Sequence, residues 1–232
     1  MKNIYILILL TISLVSCSTS ENKKANLIVK GQVKGLRLGN LLIKQMLNDS
    51  LVSIDSIKVD GEEHFEFHTN IDEPQMMLLE LPEVKDGKIL FFAAPQDTIK
   101  IFAYVESFGI NPRIKGGINQ QQLNTFNQMI KQFNNKEMDL FKAEFDARKN
   151  YLLKEADSLK KALERLQHKR QLYTLNFIFQ NKNHAIAPYI AMMNFYDNPK
   201  ALDTIFKVLP DLQKESIYGK ELIKILAENH PE

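Results

Sequence analysis

The sequence predicts an α+β protein in which an N-terminal antiparallel β-sandwich is followed by a C-terminal all-α region with one long helix. Across residues 26–117, short segments of alternating apolar and polar residues are separated by turn residues at intervals of roughly 8–12, which is typical of a sandwich or barrel. After Gly116-Gly117 the apolar residues recur at steps of three and four, the spacing of one helix face. Hydrophobic residues make up 44% of the 232 positions, which is enough to form a core.

Eight short strands are expected before the two glycines. They fall at residues 27–29, 41–43, 52–59, 64–68, 76–81, 89–93, 99–102 and 113–115. The turn signals Gly39-Asn40, Asp60-Gly61 and Asp86-Gly87 separate several of them. In the fourth segment Phe65 and Phe67 alternate with polar residues, so both rings are expected in the core. Residues 26–117 are therefore assigned to the β-sandwich domain.

A long amphipathic helix is expected to open the α region at residues 118–232. Apolar residues recur at helical spacing from Leu123 to Leu166, and no proline occurs between Gly117 and Pro188, so a continuous helix of about 40 residues or more is predicted. Such a helix needs a partner face. Shorter helices that fold back on it can supply that face, and they are expected at residues 172–179, 187–195, 201–209 and 212–226. A coiled-coil partner on another chain is the alternative.

The first residues have the organisation of a secretory signal. A charged start precedes the apolar residues 4–12, which are too few to span a bilayer, and Leu14-Val15-Ser16-Cys17 ends with the only cysteine of the chain. This segment resembles bacterial lipoprotein signals. The resemblance implies cleavage after Ser16 and acylation of Cys17, so residues 1–16 are expected to be the signal peptide and Cys17 the lipidation site.

The polar residues 17–25 are expected to form a tether between the lipid and the folded body. Several acyl chains give firm anchoring, so the membrane is an expected partner through the lipid anchor. Ser18 follows the cysteine, and no Asp occupies this position to retain the protein in the inner membrane. The tether also lacks a contiguous acidic run of the surface-export type. The protein is therefore expected in the cell envelope, on the outer membrane and facing the periplasm.

Charge and cysteine content exclude several functional classes. The chain has 30 basic and 28 acidic residues, a formal net charge of +2, and this near-neutral balance argues against nucleic-acid binding. Once Cys17 is acylated, no thiol remains for a disulfide, a C-x-x-C redox centre, a cysteine nucleophile or a thiolate metal site. We expect no catalytic residue, no metal site and no cofactor.

Turn and core residues of both regions carry a further resemblance. In the β region they are Asp55-Ser56, Asp60-Gly61, Phe65-Glu66-Phe67, Pro74, Phe91-Phe92, Ile99-Lys100-Ile101, Ile114-Lys115-Gly116-Gly117 and Asn119, and in the α region His184-Ala185, Tyr189, Leu209-Pro210 and Tyr218-Gly219-Lys220. The set resembles the N-terminal domain of unknown function and helical linker of anchored thiol–disulfide oxidoreductases of the TlpA and ResA type. The chain is expected to lack their thioredoxin domain, because it reaches Glu232 without a C-x-x-C motif, so no catalytic residue is transferred.

Three residue patterns bear on catalysis or ligand binding. His64, Glu66 and His68 share one strand face, but the two histidines lie roughly 13 Å apart along the strand and cannot share one ion. They are expected to be exposed surface residues, and weak Cu or Zn contact through His64 and Glu66 is the alternative. No Gly-x-Ser-x-Gly turn frames any serine, which argues against a hydrolase. Gly116-Gly117 is expected to form a left-handed turn between strand and helix rather than a phosphate cradle.

An Asp-Ser/Thr-apolar tripeptide occurs five times, more often than composition predicts. The pattern resembles the periplasmic O-glycosylation acceptor of some Gram-negative lineages. The candidate acceptors are Ser50, Ser56, Thr98, Ser158 and Thr204. Ser50 is expected to be the most exposed and Ser158 only partly reachable. The alternative is that these residues form turns before strands or cap helices.

The expected function is that of a membrane-anchored, non-catalytic binding or interaction lipoprotein of the cell envelope, with an unidentified envelope protein as its partner. The alternative is an accessory component of a periplasmic thiol–disulfide exchange system whose thioredoxin domain is on another chain. A hydrolase is the third and least favoured class.

Overall fold

The computed structural model describes residues 25–47 and 50–228. The predicted signal peptide, Cys17 and all of the tether except Ala25 lie outside the described residues. Eight β-strands are followed by helices, as the sequence predicts, so the α+β fold class is confirmed. In the part of the chain described, no helix is both long and apolar enough to cross a membrane.

The strands form two four-stranded sheets. They are β1 (Leu27–Lys34), β2 (Leu38–Leu47), β3 (Ser50–Asp60), β4 (His64–Thr69), β5 (Gln75–Glu80), β6 (Lys88–Ala93), β7 (Thr98–Tyr104) and β8 (Arg113–Lys115). Sheet A has the order β4-β1-β7-β8, and sheet B has the order β3-β2-β5-β6. All the strand pairs are antiparallel except β1 with β7, which are parallel. Both of these strands begin at the same end of sheet A, where the backbone N–H of Gln96 donates to the carbonyl of Asn26.

The core of the sandwich lies between the two sheets. Phe65 and Phe67 are buried there, while the polar residues that alternate with them are exposed, as predicted. The other buried strand residues of this core come from β1, β2, β3, β5, β6 and β7: Leu27, Val29, Val33, Leu41, Ile43, Val59, Met77, Leu79, Ile89, Phe91, Ala93, Ile99, Ile101 and Ala103. Burial of these side chains is the main term that holds the two sheets together.

Two of the three turn predictions are confirmed. Gly61 has a φ of 86° after β3, and Asp86 has a φ of 56° in the turn before β6. Gly39-Asn40 lies inside β2, so the prediction of a turn there is wrong. The chain instead reverses at Gly35, which has a φ of 85° and whose N–H donates to Glu63 Oε1 at 2.7 Å.

The glycine pair before the helical region also differs from its prediction. Neither Gly116 nor Gly117 has a positive φ, so the left-handed turn is wrong. Glycine is needed at both positions because neighbouring atoms lie too close to leave room for a side chain. A Cβ on Gly117 would lie 2.0 Å from Asp97 Oδ1, and one on Gly116 would lie 2.5 Å from Ile99 Cδ1.

Six α-helices follow. They are α1 (Ile118–Lys149), α2 (Leu153–Gln180), α3 (Ile186–Phe195), α4 (Pro199–Val208), α5 (Asp211–Lys214) and α6 (Ile217–Glu228). The longest helix has 32 residues, so the prediction of about 40 or more continuous residues is wrong. The chain reverses at residues 150–152, and α2 pairs with α1 as a helical hairpin. The segment 172–179, predicted as a separate helix, is the C-terminal part of α2.

The helical region covers part of sheet B. Phe92, on the outer face of β6, is fully buried and its ring lies 6.0 Å from those of Tyr189 and Tyr218. The hydrogen bonds between the layers include Phe92 N–H to Gln120 Oε1 at 2.6 Å and Met76 N–H to the Tyr218 hydroxyl at 2.7 Å. The helices thus pack on sheet B, and the strongly polar outer face of sheet A remains accessible.

Candidate functional site

The outer face of sheet A forms an open groove with a volume of about 730 Å³. It is lined by all four strands of the sheet and by one residue of the loop before β4. The lining residues are Lys30, Gly31, Gln32, Glu62, His64, Phe65, Glu66, Lys100, Ile101, Phe102, Arg113 and Lys115. The strands place these residues by simple alternation, because the intervening apolar side chains point into the sandwich core. The result is a polar floor made by a rigid sheet.

Strand register aligns three lysines across the groove. Lys30 pairs with Lys100 in the parallel β1·β7 ladder, and Lys100 pairs with Lys115 in the antiparallel β7·β8 ladder. Glu66 pairs with Lys30 on the other side. Neighbouring strands lie about 4.8 Å apart, so the three ammonium groups are carried by a row about 10 Å wide. We call Lys30, Lys100 and Lys115 the lysine row.

A second row lies next to the lysine row and contains His64, Gln32, Phe102 and Arg113. The Arg113 guanidinium lies over the Phe102 ring, 4.4 Å from its centroid, and Tyr104 meets the same ring edge-on at 5.3 Å. Stacking of this kind fixes the plane of the guanidinium and leaves its N–H groups free to donate. Arg113 is therefore held ready for a planar anion beside the lysine row.

The charge of the groove is unbalanced. Four cations but only two carboxylates line it. A Glu66 carboxylate oxygen lies 3.0 Å from His68 Nε2, and the carboxylate lies 3.6 Å from the Lys30 ammonium, so Glu66 neutralises one end of the lysine row. Among the described residues, no carboxylate lies within ion-pair distance of Lys100 or Lys115. Like charges directly opposite each other destabilise a sheet, so this arrangement favours an anion that bridges them.

Glu63 orients the side chain of Gln32, which lines the groove. Its carboxylate accepts from the Gly35 N–H at 2.7 Å and from Gln32 Nε2 at 3.0 Å. The Gly35 backbone hydrogen bond, followed by the Gln32 bond, lowers the pKa of Glu63. The carboxylate therefore stays ionised while it orients the Gln32 amide within the second row.

The histidine strand face does not form a metal cluster in this structure. Glu66 contacts His68 and Lys30, and no contact joins it to His64. Across residues 25–47 and 50–228, no three His, Cys, Asp or Glu side chains come together in a group able to hold a metal ion.

The five candidate glycosylation residues all lie on the surface. Ser50 and Thr98 are the first residues of β3 and β7, and Ser56 lies within β3. Ser158 and Thr204 lie in α2 and α4. All five are exposed, and for Ser158 this exceeds the partial access expected from the sequence. Cys17, the predicted lipidation site, lies outside the described residues.

Sequence reasoning did not identify the groove. The alternation at residues 99–102 and 113–115 carries a signal, since it places Lys100, Phe102, Arg113 and Lys115 on one side of their strands. Their convergence with Lys30 depends on the parallel β1·β7 pairing, which joins segments about 70 residues apart. No local pattern encodes that pairing.

Comparison with known proteins bears on the β region. No curated protein sequence matches the chain. The model of a protein family described as a domain of unknown function, DUF4369, matches residues 27–123. This match spans all eight strands, both rows of the groove and the first residues of α1. The β-sandwich that carries the candidate site is therefore similar to DUF4369 domains.

Proposed function

We propose that this chain is a membrane-anchored, non-catalytic binding lipoprotein of the cell envelope, and that the groove on sheet A holds an anionic ligand. The single observation that carries the proposal is the lysine row beside the stacked Arg113. The lipobox ending at Cys17 supports the anchor, and the location proposed for the protein is the periplasmic face of the outer membrane.

The geometry favours a ligand with several negative charges. Cations on adjacent strands recur about every 4.8 Å, so a chain of carboxylate or phosphate groups that crosses the strands meets one cation after another. Arg113 adds a planar donor pair that suits one such group in a bidentate contact. An acidic glycan has this chemistry, with a charge on successive sugar rings, and its uncharged ring faces suit an aromatic floor such as Phe102.

The composition of the groove supports binding rather than covalent catalysis. No serine, threonine, cysteine or tyrosine is among its lining residues, so it offers no hydroxyl or thiol nucleophile. Of its two carboxylates, Glu66 already contacts Lys30 and His68. The strands hold these groups at fixed spacing, which lowers the entropy lost when a ligand binds.

The test compares two double variants with the same change in net charge. Lys100→Ala with Lys115→Ala removes half of the cations of the groove, and Lys58→Ala with Lys85→Ala removes two exposed lysines elsewhere. The acylated protein in a zwitterionic detergent is titrated calorimetrically with alginate oligosaccharides, with neutral dextran as the reference glycan. We expect the groove variant to bind alginate about tenfold more weakly, and the affinity of the wild type to fall with salt. Equal affinities of the two double variants would contradict the proposed site.

A second candidate function is an accessory role in thiol–disulfide exchange with a thioredoxin domain on another chain. It is favoured by the resemblance of the turn and core residues to TlpA- and ResA-type proteins. The purified protein alone should not reduce insulin, because exchange requires an attacking thiolate and Cys17 would be acylated. Recovery of a thioredoxin-fold protein, cross-linked to this chain in intact envelopes, would favour this role over glycan binding.

A further inference from the structure

The turn of the α1–α2 hairpin presents apolar residues to solvent. Tyr151, Leu152 and Leu153 are consecutive and exposed, and 88% of the Tyr151 surface is accessible. Met138, Phe141 and Phe145, in the last three turns of α1 before this turn, are exposed as well. We call these six residues the hairpin tip. Exposed apolar residues in a contiguous group mark an interaction surface.

The backbone of the hairpin tip is strained where it is most exposed. The Leu152 N–H donates to the Ala147 carbonyl at 2.9 Å and the Tyr151 N–H to the Arg148 carbonyl at 3.0 Å, which is the pair of hydrogen bonds of a Schellman helix end. The residue after the C-cap of such an end adopts a left-handed conformation and is usually glycine. Here it is Tyr151, with a φ of 56°. An exposed aromatic ring thus occupies a position at which the fold alone would favour glycine.

Cations accompany the apolar residues on the same face of α1. At 3.6 residues per turn, Met138, Phe141 and Phe145 fall within an arc of about 60°. Lys142, Arg148 and Lys149 extend this arc to about 120°, and the four carboxylates of residues 137–149 all fall outside it. The buried Ala147, which faces α2, lies on the opposite side of the helix. The solvent face near the tip is therefore both apolar and basic.

Few of these cations are neutralised locally. Arg148 pairs with Glu144. For Lys142, Lys149 and Lys154, no carboxylate lies within ion-pair distance in the part of the chain that the structure describes. A helix with an apolar face, flanking cations and an exposed aromatic ring is typical of segments that lie in the interfacial region of a bilayer.

We propose that the hairpin tip docks on the surface of an anionic lipid bilayer. The tip is a convex helix end rather than a groove, so its apolar side chains can enter the interfacial region while Lys142, Lys149 and Lys154 meet lipid phosphates. The docking does not depend on the ligand of the sheet A groove. The acyl anchor proposed at Cys17 would hold the tip close to the same bilayer and raise its local concentration there.

The chain contains no tryptophan, so a single introduced tryptophan is a unique optical probe. Tyr151→Trp places the probe on the hairpin tip. Tyr196→Trp is the matched control, because Tyr196 is also an exposed tyrosine but follows α3. Each full, acylated variant is reconstituted into vesicles of phosphatidylethanolamine and phosphatidylglycerol whose acyl chains carry bromine, which quenches tryptophan emission only on close contact.

We expect brominated lipid to lower the emission of Tyr151→Trp at least about twofold and to leave that of Tyr196→Trp unchanged. Adding Lys142→Glu and Lys149→Glu to Tyr151→Trp should reduce the docked fraction about tenfold on these anionic vesicles. Unquenched emission of Tyr151→Trp in protein that floats with the vesicles would overturn the docking while leaving the anchor intact. Protein that does not float would contradict the anchor instead.

Two other occupants of the hairpin tip give distinct results. A second copy of the chain would shift the Tyr151→Trp emission to shorter wavelength as protein concentration rises in lipid-free detergent, with no effect of bromine. An envelope protein as the occupant would leave the emission unquenched in pure vesicles and would change it only when envelope proteins are added. Either result would overturn lipid docking.

Discussion

Tyr151 shows how one residue can conflict with its local structure. A bulky side chain at a φ of 56° is disfavoured, yet the Schellman hydrogen bonds around Tyr151 require this conformation. Packing of the Tyr151 side chain offsets little of this conformational cost, because the side chain is 88% exposed. A tyrosine at this position is explained if its ring contacts a binding partner, and the docking proposal makes that partner a lipid bilayer.

Replacing Tyr151 with glycine should stabilise the protein and weaken lipid contact. Glycine adopts positive φ freely, so Tyr151→Gly should raise the free energy of unfolding by about 1 kcal/mol. The urea midpoint followed by helical circular dichroism measures this change. Tyr196→Gly is the control, since Tyr196 has a right-handed helical conformation and glycine there should be destabilising. A lower midpoint for Tyr151→Gly would contradict the strain argument.

The exposed hydroxyls of the five Asp-Ser/Thr tripeptides lead to a second prediction at this scale. If native O-glycosylation follows the tripeptide, protein purified from its own cell envelope should carry hexose-type mass on some of Ser50, Ser56, Thr98, Ser158 and Thr204. Changing all five residues to alanine should remove that mass in intact-mass spectra. Ser53→Ala is the matched control, because Ser53 is exposed on the same strand as Ser56 but follows valine. A native mass equal to that of the acylated polypeptide would mean that the tripeptides only form turns and caps.

At the scale of elements, one buried phenol contributes both a hydrogen bond and ring packing to the contact between sheet B and the helices. Tyr218 accepts the Met76 N–H at 2.7 Å while its ring packs against Phe92 and Tyr189. Burial raises the pKa of Tyr218 well above its usual range, the Met76 hydrogen bond lowers it in part, and the nearby Tyr189 and Glu73 raise it further. The folded state therefore holds the phenol neutral where an unfolded chain would ionise it at alkaline pH.

Tyr218→Phe should test this joint through its pH dependence. Because the folded pKa is raised, the stabilisation from this group is complete below about pH 10 and is lost as pH rises above that value. At pH 7 the variant should be less stable by about 1 kcal/mol, since the Met76 N–H loses its acceptor. Above pH 10 the difference should shrink, because only the wild type must keep Tyr218 neutral. Parallel stability curves from pH 7 to 11 would argue against this role.

The elements also show what local sequence can and cannot predict. The alternation at residues 64–68 reveals β4 and its buried phenylalanines, because a strand repeats every two residues. The break at residues 150–152 contains neither glycine nor proline, so periodicity extends the helix through it. The chain reverses there because pairing α1 with α2 buries residues such as Ala147, Ala156 and Leu163, a tertiary effect that local propensity does not contain.

The candidate site could not be predicted from the sequence, for a related reason. Each strand reveals which of its residues face outward, but the lysine row exists only once β1 lies between β4 and β7. A shift of the β1·β7 register by one residue would place Gly31 rather than Lys30 beside Lys100. The clustering of positive charges is thus a property of register and topology. The composition gives only a formal net charge of +2, which does not reveal the cluster.

At the scale of the whole molecule, Asn26, which precedes β1, and the hairpin tip lie far apart. The carbonyl of Asn26 accepts from Gln96, and the neighbouring Asp97 contacts Gly117 at the start of α1. Asn26 and the base of the hairpin therefore lie at the same end of the sandwich. The 32 residues of α1 carry the tip about 48 Å from that base. Contact of both points with one bilayer would lay the hairpin along the membrane surface.

The anchor itself is the last prediction, and it rests on the lipobox rather than on the described residues. Cys17→Ser should abolish acylation, so the protein should be released from the envelope or accumulate as the uncut precursor, as measured by flotation and by the mass of the product. Ser18→Ala is the matched control and should stay on the outer membrane, whereas Ser18→Asp should move the protein to the inner-membrane fraction. The physical reason is that several acyl chains bind a bilayer firmly, while the contact proposed for the hairpin tip would by itself be reversible. Normal processing and unchanged membrane fractionation of Cys17→Ser would show that something other than the lipid holds this protein on the envelope.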